Sequence, residues 1–200
     1  MEKRYRIFIA INLSNDIKRV LEKHQKEIRG RFTLSQGEDV SEWAKWEPKE
    51  NLHITLEFLG ALTDAEIGEI CVVVKEVAER HSGFSLNLNK ILYGPPKKMP
   101  PKFVWVEGEK SEELTALRQD LENSLAEKVA FVPENRAFSP HITLARIGAW
   151  GFKAIEPEER PEINENIDLA FTVESIEVME SEMRKGGPIY TVLESHNLQN

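Results

Sequence analysis

The sequence contains one tetrapeptide twice, and its residue types suit acid–base chemistry. His-Ile-Thr-Leu occurs at His53–Leu56 and again at His141–Leu144, 88 residues later (141 − 53 = 88). An unperturbed histidine titrates at about pH 6.5, so one imidazole can accept a proton while another, protonated, donates one. A threonine hydroxyl two residues further along can donate a hydrogen bond to an oxyanion. Two such units facing one centre would suit phosphodiester transfer without a metal.

Both copies lie in predicted β-strands, where side chains alternate between two faces. In the second copy His141 and Thr143 would share one face, opposite Ile142 and Leu144. We expect the apolar faces to pack on the core and the His and Thr side chains to line a groove. The first strand divides in the same way, with His53, Thr55 and Glu57 on one face and Leu52, Ile54, Leu56 and Phe58 on the other.

Other interpretations of the repeat explain less of it. Two packed strands with similar cores would account for the repeated Ile and Leu, but not for the matched His and Thr. A zinc site is disfavoured because His-x-Thr lacks the i, i+4 spacing of helical zinc motifs, and Glu57 has only Ala145 as its counterpart. The other histidines, His24, His81 and His196, stand alone and are interpreted as structural.

The elements around the repeat predict an α+β fold with antiparallel sheets. Ser14 is a candidate N-cap for a helix that ends at Gly30, and Thr63 with Glu66 forms a capping-box pattern before a second helix. A third amphipathic helix is predicted over 114–129. Strands are predicted over 5–13, 51–59, 84–88, 103–106, 138–147, 169–173 and 189–193, with loops at 31–41, 94–101 and 148–166 and a hairpin turn at Gly186 and Gly187.

Length and charge narrow the classes of protein. A chain of 200 residues is one domain, or two small lobes sharing a core. With 26 basic and 34 acidic residues the net charge is −8, which disfavours wrapping a long nucleic acid but permits a small basic pocket for one phosphate. The single Cys71 excludes a disulfide framework and an all-cysteine metal site. No apolar run reaches the ~18 residues of a membrane span, so we expect a cytoplasmic protein.

The residues around the repeat resemble those of the 2H phosphoesterases, and among them the RNA 2′,3′-cyclic phosphodiesterases long labelled 2′-5′ RNA ligases. The paired His-x-Thr motifs carry this resemblance at the superfamily level, and their flanking residues narrow it to this branch. The resemblance extends over almost the whole chain. The matching segments are Arg6–Ile11, Trp46, Asn51–Gly60, Pro101–Val106 with Trp105, Phe138–Arg146 and Gly187–Leu193 with Tyr190.

The resemblance implies a single bilobal domain over residues 1–200, in which two antiparallel sheets related by a pseudo-two-fold axis line a central cleft and helices pack outside. Each lobe would contribute one His-x-Thr motif. The implied activity is hydrolysis of an RNA 2′,3′-cyclic phosphate to a 2′-phosphomonoester, with no metal and no other cofactor. In that scheme His53 protonates the departing 3′ oxygen, His141 activates water, and Thr55 and Thr143 hold the phosphoryl oxygens.

Arg146 matches an arginine that follows the second motif in this family, which makes it a candidate contact for phosphate or for the terminal base. Its odd offset from His141 would turn it away from the cleft on a regular strand. A bulge or the end of the strand must therefore re-aim it, or it is an ordinary surface arginine.

More than one function stays open from the sequence. The expected partners are RNA 3′ ends, tRNA fragments among them, and the same site could join such ends in reverse as a 2′-5′ ligation. Another small cyclic phosphate is an alternative substrate, and a nucleotide-binding module without turnover is a third possibility. The intact His and Thr in both motifs favour catalysis. We expect no membrane partner and a monomeric protein.

Overall fold

A computed structural model describes residues 2–32, 43–129, 131, 138–185 and 187–199. Most of the loop predicted at 31–41, and Gly186 of the predicted hairpin turn, lie outside these ranges. The helices within the described ranges are α1 (Asn15–Arg29), α2 (Asp64–Ala78), α3 (Glu112–Lys128) and α4 (Ala149–Ala154). None of them is both long and apolar enough to cross a membrane. The strands are β1 (Tyr5–Asn12), β2 (Ala44–Trp46), β3 (His53–Leu62), β4 (Phe84–Gly94), β5 (Phe103–Gly108), β6 (His141–Ile147), β7 (Asn164–Val173), β8 (Ser175–Arg184) and β9 (Gly187–Asn197).

These strands form one continuous sheet in the order β7-β4-β5-β6-β3-β1-β8-β9, with β2 pairing beside β6. Neighbouring strands run antiparallel throughout this order. The predicted α+β class with antiparallel sheets is thus confirmed. The two predicted sheets are joined edge to edge where β3 meets β6, through the pair Ile54 and Ile142.

The first two helices begin at the predicted caps, the third begins at Glu112, two residues before its predicted range, and all three pack on the sheet. The Ser14 hydroxyl accepts a hydrogen bond from the Ile17 N–H, and Thr63 forms the predicted capping box with Glu66. Such a cap stabilises a helix by about 1 kcal/mol. Apolar residues of α1, α2 and α3, including Leu21, Val74 and Leu117, lie in the main buried core together with side chains of the strands.

The segment 148–166, predicted as a loop, contains the short helix α4. Phe152 on this helix is buried, and its ring packs edge-on against Trp43 and Tyr93 with ring centroids 5.7 and 5.6 Å apart. Trp150 on the same helix is exposed. Phe152 therefore anchors the segment to the core, although only two aromatic residues mark it in the sequence.

Both copies of the tetrapeptide contain a β-bulge at their leucine. In β3 the partners of Thr55 and Glu57 are the adjacent β1 residues Ala10 and Ile9, so Leu56 is an extra residue in the pairing. The predicted alternation is therefore wrong beyond Thr55: Glu57 is only 3% exposed, whereas Phe58 is 63% exposed. A bulge shifts the alternation by one residue and turns the following side chains to the opposite face.

The same bulge occurs in β6, where Trp105 pairs with Thr143 and Val104 with Ala145, leaving Leu144 as the extra residue. A bulge leaves backbone groups outside the strand ladder, and here they are satisfied from elsewhere. The Leu144 carbonyl accepts hydrogen bonds from the buried Gln25 side chain on α1 and from the Glu47 N–H, at 2.9 and 2.8 Å.

In β3 the corresponding carbonyl, that of Leu56, accepts a hydrogen bond from Arg118 on α3 at 3.3 Å. Arg118 also forms ion pairs with Glu57 and Glu122, at 2.5 and 2.6 Å. Burial, reinforced by the nearby Glu122 and opposed by Arg118, raises the pKa of Glu57 to about 7. Two carboxylates thus share one guanidinium in the interior beneath the first motif.

We expect this cluster to make the stability of the protein depend on pH. A carboxyl with a raised pKa keeps its proton in the folded state after the unfolded chain has lost it, so stability declines as pH rises from about 4.5 to about 7. Glu57→Gln removes this titration and should gain free energy of unfolding relative to the wild type over that interval. Urea denaturation of both proteins at the two pH values measures the difference in their free energies of unfolding. The exposed Glu69→Gln is the control. An equal difference at both pH values would contradict the expectation.

Candidate active site

The pairing of β3 with β6 brings the two His-x-Thr motifs side by side. Ile54 lies directly opposite Ile142 in an antiparallel register, so His53 comes beside Thr143 and His141 beside Thr55. Both isoleucines are fully buried, and the four His and Thr side chains are half-buried on the opposite face of the sheet. Directly opposed residues on one face have Cβ atoms about 4.5–5.5 Å apart. Two imidazoles and two hydroxyls therefore alternate around one small area.

His53 is held by hydrogen bonds on both ring nitrogens. Its Nδ1 lies 2.6 Å from the Asn51 carbonyl oxygen and its Nε2 lies 3.0 Å from the Thr55 hydroxyl oxygen. Because a carbonyl oxygen only accepts, Nδ1 carries the hydrogen, and Nε2 of the neutral ring accepts from Thr55. The ring also packs against Phe8 and Tyr190, each with its centroid 5.0 Å away. These contacts fix its orientation and leave Nε2 on the side of Thr55.

His141 is oriented by a matching backbone contact. Its Nδ1 lies 2.8 Å from the Ser139 carbonyl oxygen, so Nδ1 again carries the hydrogen and Nε2 bears the lone pair. The ring stacks on Trp105 with centroids 3.9 Å apart and planes 28° from parallel. In both motifs, therefore, the carbonyl two residues before the histidine sets the tautomer.

Both histidines are poor bases in the free protein. Burial is the main cause and lowers the pKa of His53 to about 4, with the positive charges of Lys18 and Arg146, and of His141 when it is protonated, adding to the effect. Burial also lowers the pKa of His141. Both rings are accordingly neutral near pH 7, and the cationic neighbours make the site favourable for an anion.

A buried polar network lies behind His53 and includes Lys18 of α1. The Lys18 ammonium donates to the Asn12 side chain at 2.8 Å and to the Glu50 carbonyl oxygen at 3.0 Å. The Asn12 N–H donates to the buried Glu177 carboxylate at 2.9 Å. Asn12 pairs with His53 in the sheet. Glu50 directly precedes Asn51, whose carbonyl oxygen accepts the hydrogen bond from the His53 ring. The network thus connects α1 and β8 to the position of the ring.

Arg146 lies on the same face as His141 and Thr143, because the bulge at Leu144 reverses the alternation after it. Its odd offset in the sequence required such a bulge, or the end of the strand, for Arg146 to face the same side as His141. Its guanidinium donates to the nearly buried Glu47 carboxylate at 2.8 Å and lies 5.8 Å from the centre of the Phe103 ring. Half of the side chain remains exposed.

Phe8 belongs to a small second buried cluster with Ala10 and Met179, against which Tyr190 packs. This cluster is separate from the main core and contacts His53 directly through Phe8 and Tyr190. Burial raises the pKa of Tyr190, with the charge of Glu47 adding to the rise and Arg146 opposing it. The phenol therefore stays protonated near neutral pH and close to both His53 and Arg146.

Sequence reasoning missed several residues of this site. Phe58 could have been found, because it follows His53 at the offset by which Arg146 follows His141. Lys18, Gln25 and Glu47 carry no such signal, since polar residues on a helix or beside a short strand are usually exposed. Within the described parts of the chain, no group of three or more His, Cys, Asp or Glu side chains could hold a metal ion.

Comparison with known proteins shows the family of this chain. The family model of the 2′-5′ RNA ligase superfamily matches residues 17–184. An RNA 2′,3′-cyclic phosphodiesterase of Aquifex aeolicus is 28% identical over 96% of this chain and 97% of its own length. A protein of the same name from Aeropyrum pernix is 36% identical over 72% of this chain and 80% of its own.

Solved structures show the same fold. A crystal structure of a Thermus thermophilus protein superposes with a TM-score of 0.78 at 27% identity, covering 97% of this chain and 98% of that one. The structure of E. coli LigT complexed with 3′-AMP has a TM-score of 0.76 at 23% identity, covering 99% and 100%. With the family model matching most of its length, this chain belongs to the 2′-5′ RNA ligase superfamily.

Proposed function

We propose that this protein hydrolyses the 2′,3′-cyclic phosphate at an RNA 3′ end to a 2′-phosphomonoester. The observation that carries the proposal is the register of Ile54 with Ile142, which sets two histidines and two threonines around one area of the cleft face. The names of the relatives from Aquifex and Aeropyrum support the same activity. Neutral imidazoles with the lone pair on Nε2 suit proton transfer at a phosphate that carries its own charge.

In the proposed mechanism His141 is the general base and His53 the general acid, as the family resemblance implies. His141 Nε2 takes a proton from water as the water oxygen attacks phosphorus. The bond between phosphorus and the 3′ oxygen breaks, and protonated His53 Nε2 gives its proton to that oxygen. The product carries a 2′-phosphate and a 3′-hydroxyl, and exchange with solvent restores the two histidines.

The acid role requires His53 to gain a proton when substrate binds. The cyclic phosphodiester brings a negative charge into a site that already holds Lys18 and Arg146, and this charge favours the imidazolium form. The hydroxyls of Thr55 and Thr143 donate to the phosphoryl oxygens, and Thr55 leaves His53 Nε2 in doing so. Arg146, half exposed and held by Glu47, contacts the phosphate or the terminal nucleoside.

Reverse 2′-5′ ligation would use the same site with one substitution. An RNA 5′-hydroxyl would replace water as the nucleophile, while the same bond to the 3′ oxygen breaks. Hydrolysis is the primary proposal because water needs no second binding site. Incubation with an RNA bearing a cyclic phosphate and a second RNA bearing a 5′-hydroxyl distinguishes the two products. Tight nucleotide binding without any product would identify the non-catalytic alternative.

We expect His53→Ala and His141→Ala each to lower kcat by about 10²- to 10⁴-fold, the usual contribution of one general acid or base. The assay uses an RNA ending in a 2′,3′-cyclic phosphate in the presence of a chelator, since the proposed steps use no metal. His24→Ala on α1 is the matched control and should keep wild-type turnover. Normal turnover by either site variant, or loss of wild-type activity on chelation, would contradict the mechanism.

A sulfur substitution at the 3′ bridging oxygen distinguishes the acid from the base. A thiolate leaves without protonation because thiols are far more acidic than alcohols. His53→Ala should therefore regain turnover to within about tenfold of the wild type on this substrate, while His141→Ala stays at least about 10²-fold impaired. Release of the thiol is followed with a disulfide reagent. Rescue of His141→Ala in place of His53→Ala would reverse the two roles.

Lys18→Met tests the charge that acts on His53. Removing a buried ammonium close to the ring should raise the pKa of His53 from about 4, since one of the cations opposing its protonation is lost. The other groups facing the ring are Thr55, Tyr190, His141 and Arg146, which the substitution leaves in place. NMR titration of the His53 imidazole measures the shift, with the exposed Lys23→Met on the same helix as control. An unchanged or lower pKa would contradict the role of Lys18.

A further inference from the structure

A cavity of about 740 Å³ opens between β2 and the β8–β9 hairpin. Its size lies within the range of about 300–1,000 Å³ that is usual for small-molecule sites. One wall is formed by Lys45, Trp46 and Glu47, and the opposite wall by hairpin residues that include Lys185 and Ile189. None of the steps proposed above uses this space.

The walls of the cavity are bonded to residues that surround His53. Lys45 is directly opposite Arg146 in the antiparallel pair of β2 and β6, so the two side chains share the cleft face. Glu47 forms part of the cavity wall and also binds Arg146. On the other wall, the Pro188 carbonyl accepts a hydrogen bond of 2.8 Å from Asn51, whose own carbonyl holds His53.

The charge of the cavity comes from two lysines. Its wall contains three cationic residues and the two carboxylates of Glu47 and Glu182. Glu47 is bound to Arg146, and Glu182 to Arg184 at 2.8 Å, so both carboxylates are neutralised by arginines. Lys45 and Lys185 then give the cavity a positive charge on a protein whose net charge is −8.

The two lysines belong to opposite walls of the cavity, Lys45 to β2 and Lys185 to the hairpin. Lys45 extends from β2 across to the hairpin, where a Cβ on Gly187 would lie 2.9 Å from the Lys45 ammonium nitrogen. Gly187 has a φ of 129°, a conformation that favours glycine, and the missing Cβ leaves room for the lysine. Pro48 beside β2, and Pro188 and Ile189 of the hairpin, supply apolar surface in the same cavity.

We infer that this cavity binds the ribonucleotides on the 5′ side of the cyclic phosphate, with Lys45 and Lys185 contacting their backbone phosphates. The inference rests on the proposed function, in which His53 protonates the 3′ oxygen and the terminal ribose therefore lies at the His53 end of the cleft. The strand can continue from that ribose only in the 5′ direction. It leaves the site through the adjoining cavity, where two cations and an apolar wall suit a phosphate–ribose chain.

This assignment makes affinity depend on the length of the RNA. A nucleoside 2′-monophosphate reaches only the catalytic area, whereas a pentanucleotide ending in a 2′-phosphate adds backbone phosphates beside the two lysines. Each cation–phosphate contact to a single strand adds about 0.7 to the slope of log affinity against log salt. The wild-type protein should therefore bind the pentanucleotide more tightly, with a steeper dependence on salt.

The test compares the wild type with Lys45→Gln/Lys185→Gln, in which side chains of similar length lose both charges. The probes are these two product-like ligands, and fluorescence competition measures their dissociation constants without any turnover. We expect the ratio of pentanucleotide to mononucleotide affinity to fall on the order of tenfold, and the salt slope for the pentanucleotide to fall by about 1.4. The exposed pair Lys23→Gln/Lys75→Gln, on α1 and α2, controls for net charge and should keep both quantities.

An affinity ratio and salt slope equal to those of the wild type in Lys45→Gln/Lys185→Gln would overturn the inference. An equal loss in the control pair would overturn it as well, because the effect would then be one of net charge. A failure of the proposed function appears in a different experiment, as the absence of hydrolysis of cyclic phosphate substrates by the wild type. Binding of the two products remains measurable in that case.

Discussion

The arrangement of this site depends on one point of contact between strands, where Ile54 meets Ile142. Each isoleucine is fully buried, and each has a histidine before it and a threonine after it. An antiparallel pair at this point necessarily sets His53 beside Thr143 and Thr55 beside His141. A slip of one residue would turn every one of these side chains to the other face and expose the isoleucines. The hydrophobic core therefore fixes the geometry of the polar groups.

The helices reinforce this contact crosswise. Arg118 of α3, in the second half of the chain, binds the bulge carbonyl of the first motif, and Gln25 of α1, in the first half, binds that of the second. Each half of the chain therefore supports the motif of the other. The bulges in turn direct Phe58 and Arg146 to the face that carries the His and Thr side chains, so distant helices help to decide which side chains lie on that face.

Much of the fold could be predicted from sequence, and the exceptions share a physical cause. Capping residues such as Ser14 and Thr63 act on their own helices, so their signals are local. The inward position of Glu57 is not local, because it requires an extra residue against β1 and a guanidinium from α3. Lys18 is similar, since a lysine on a helix is buried only when groups distant in sequence receive its hydrogen bonds, as Asn12 and the Glu50 carbonyl do here.

The two motifs are alike in sequence, but their surroundings differ, and that difference gives the site a direction. His53 packs between Phe8 and Tyr190 with a buried ammonium nearby, whereas His141 stacks on Trp105. Five residues after its histidine, the first motif has the exposed Phe58. At the same offset the second motif has the cationic Arg146, which lies beside the lysine-lined cavity. A phosphodiester is itself directional, with ribose on one side of phosphorus and the entering water on the other. On the proposed mechanism His53 protonates the 3′ oxygen, so the terminal ribose lies at the charged end and the RNA strand leaves past Arg146 and the lysines. Burial lowers the pKa of His53 to about 4 in the free protein, and the proposal therefore requires that bound substrate raise it.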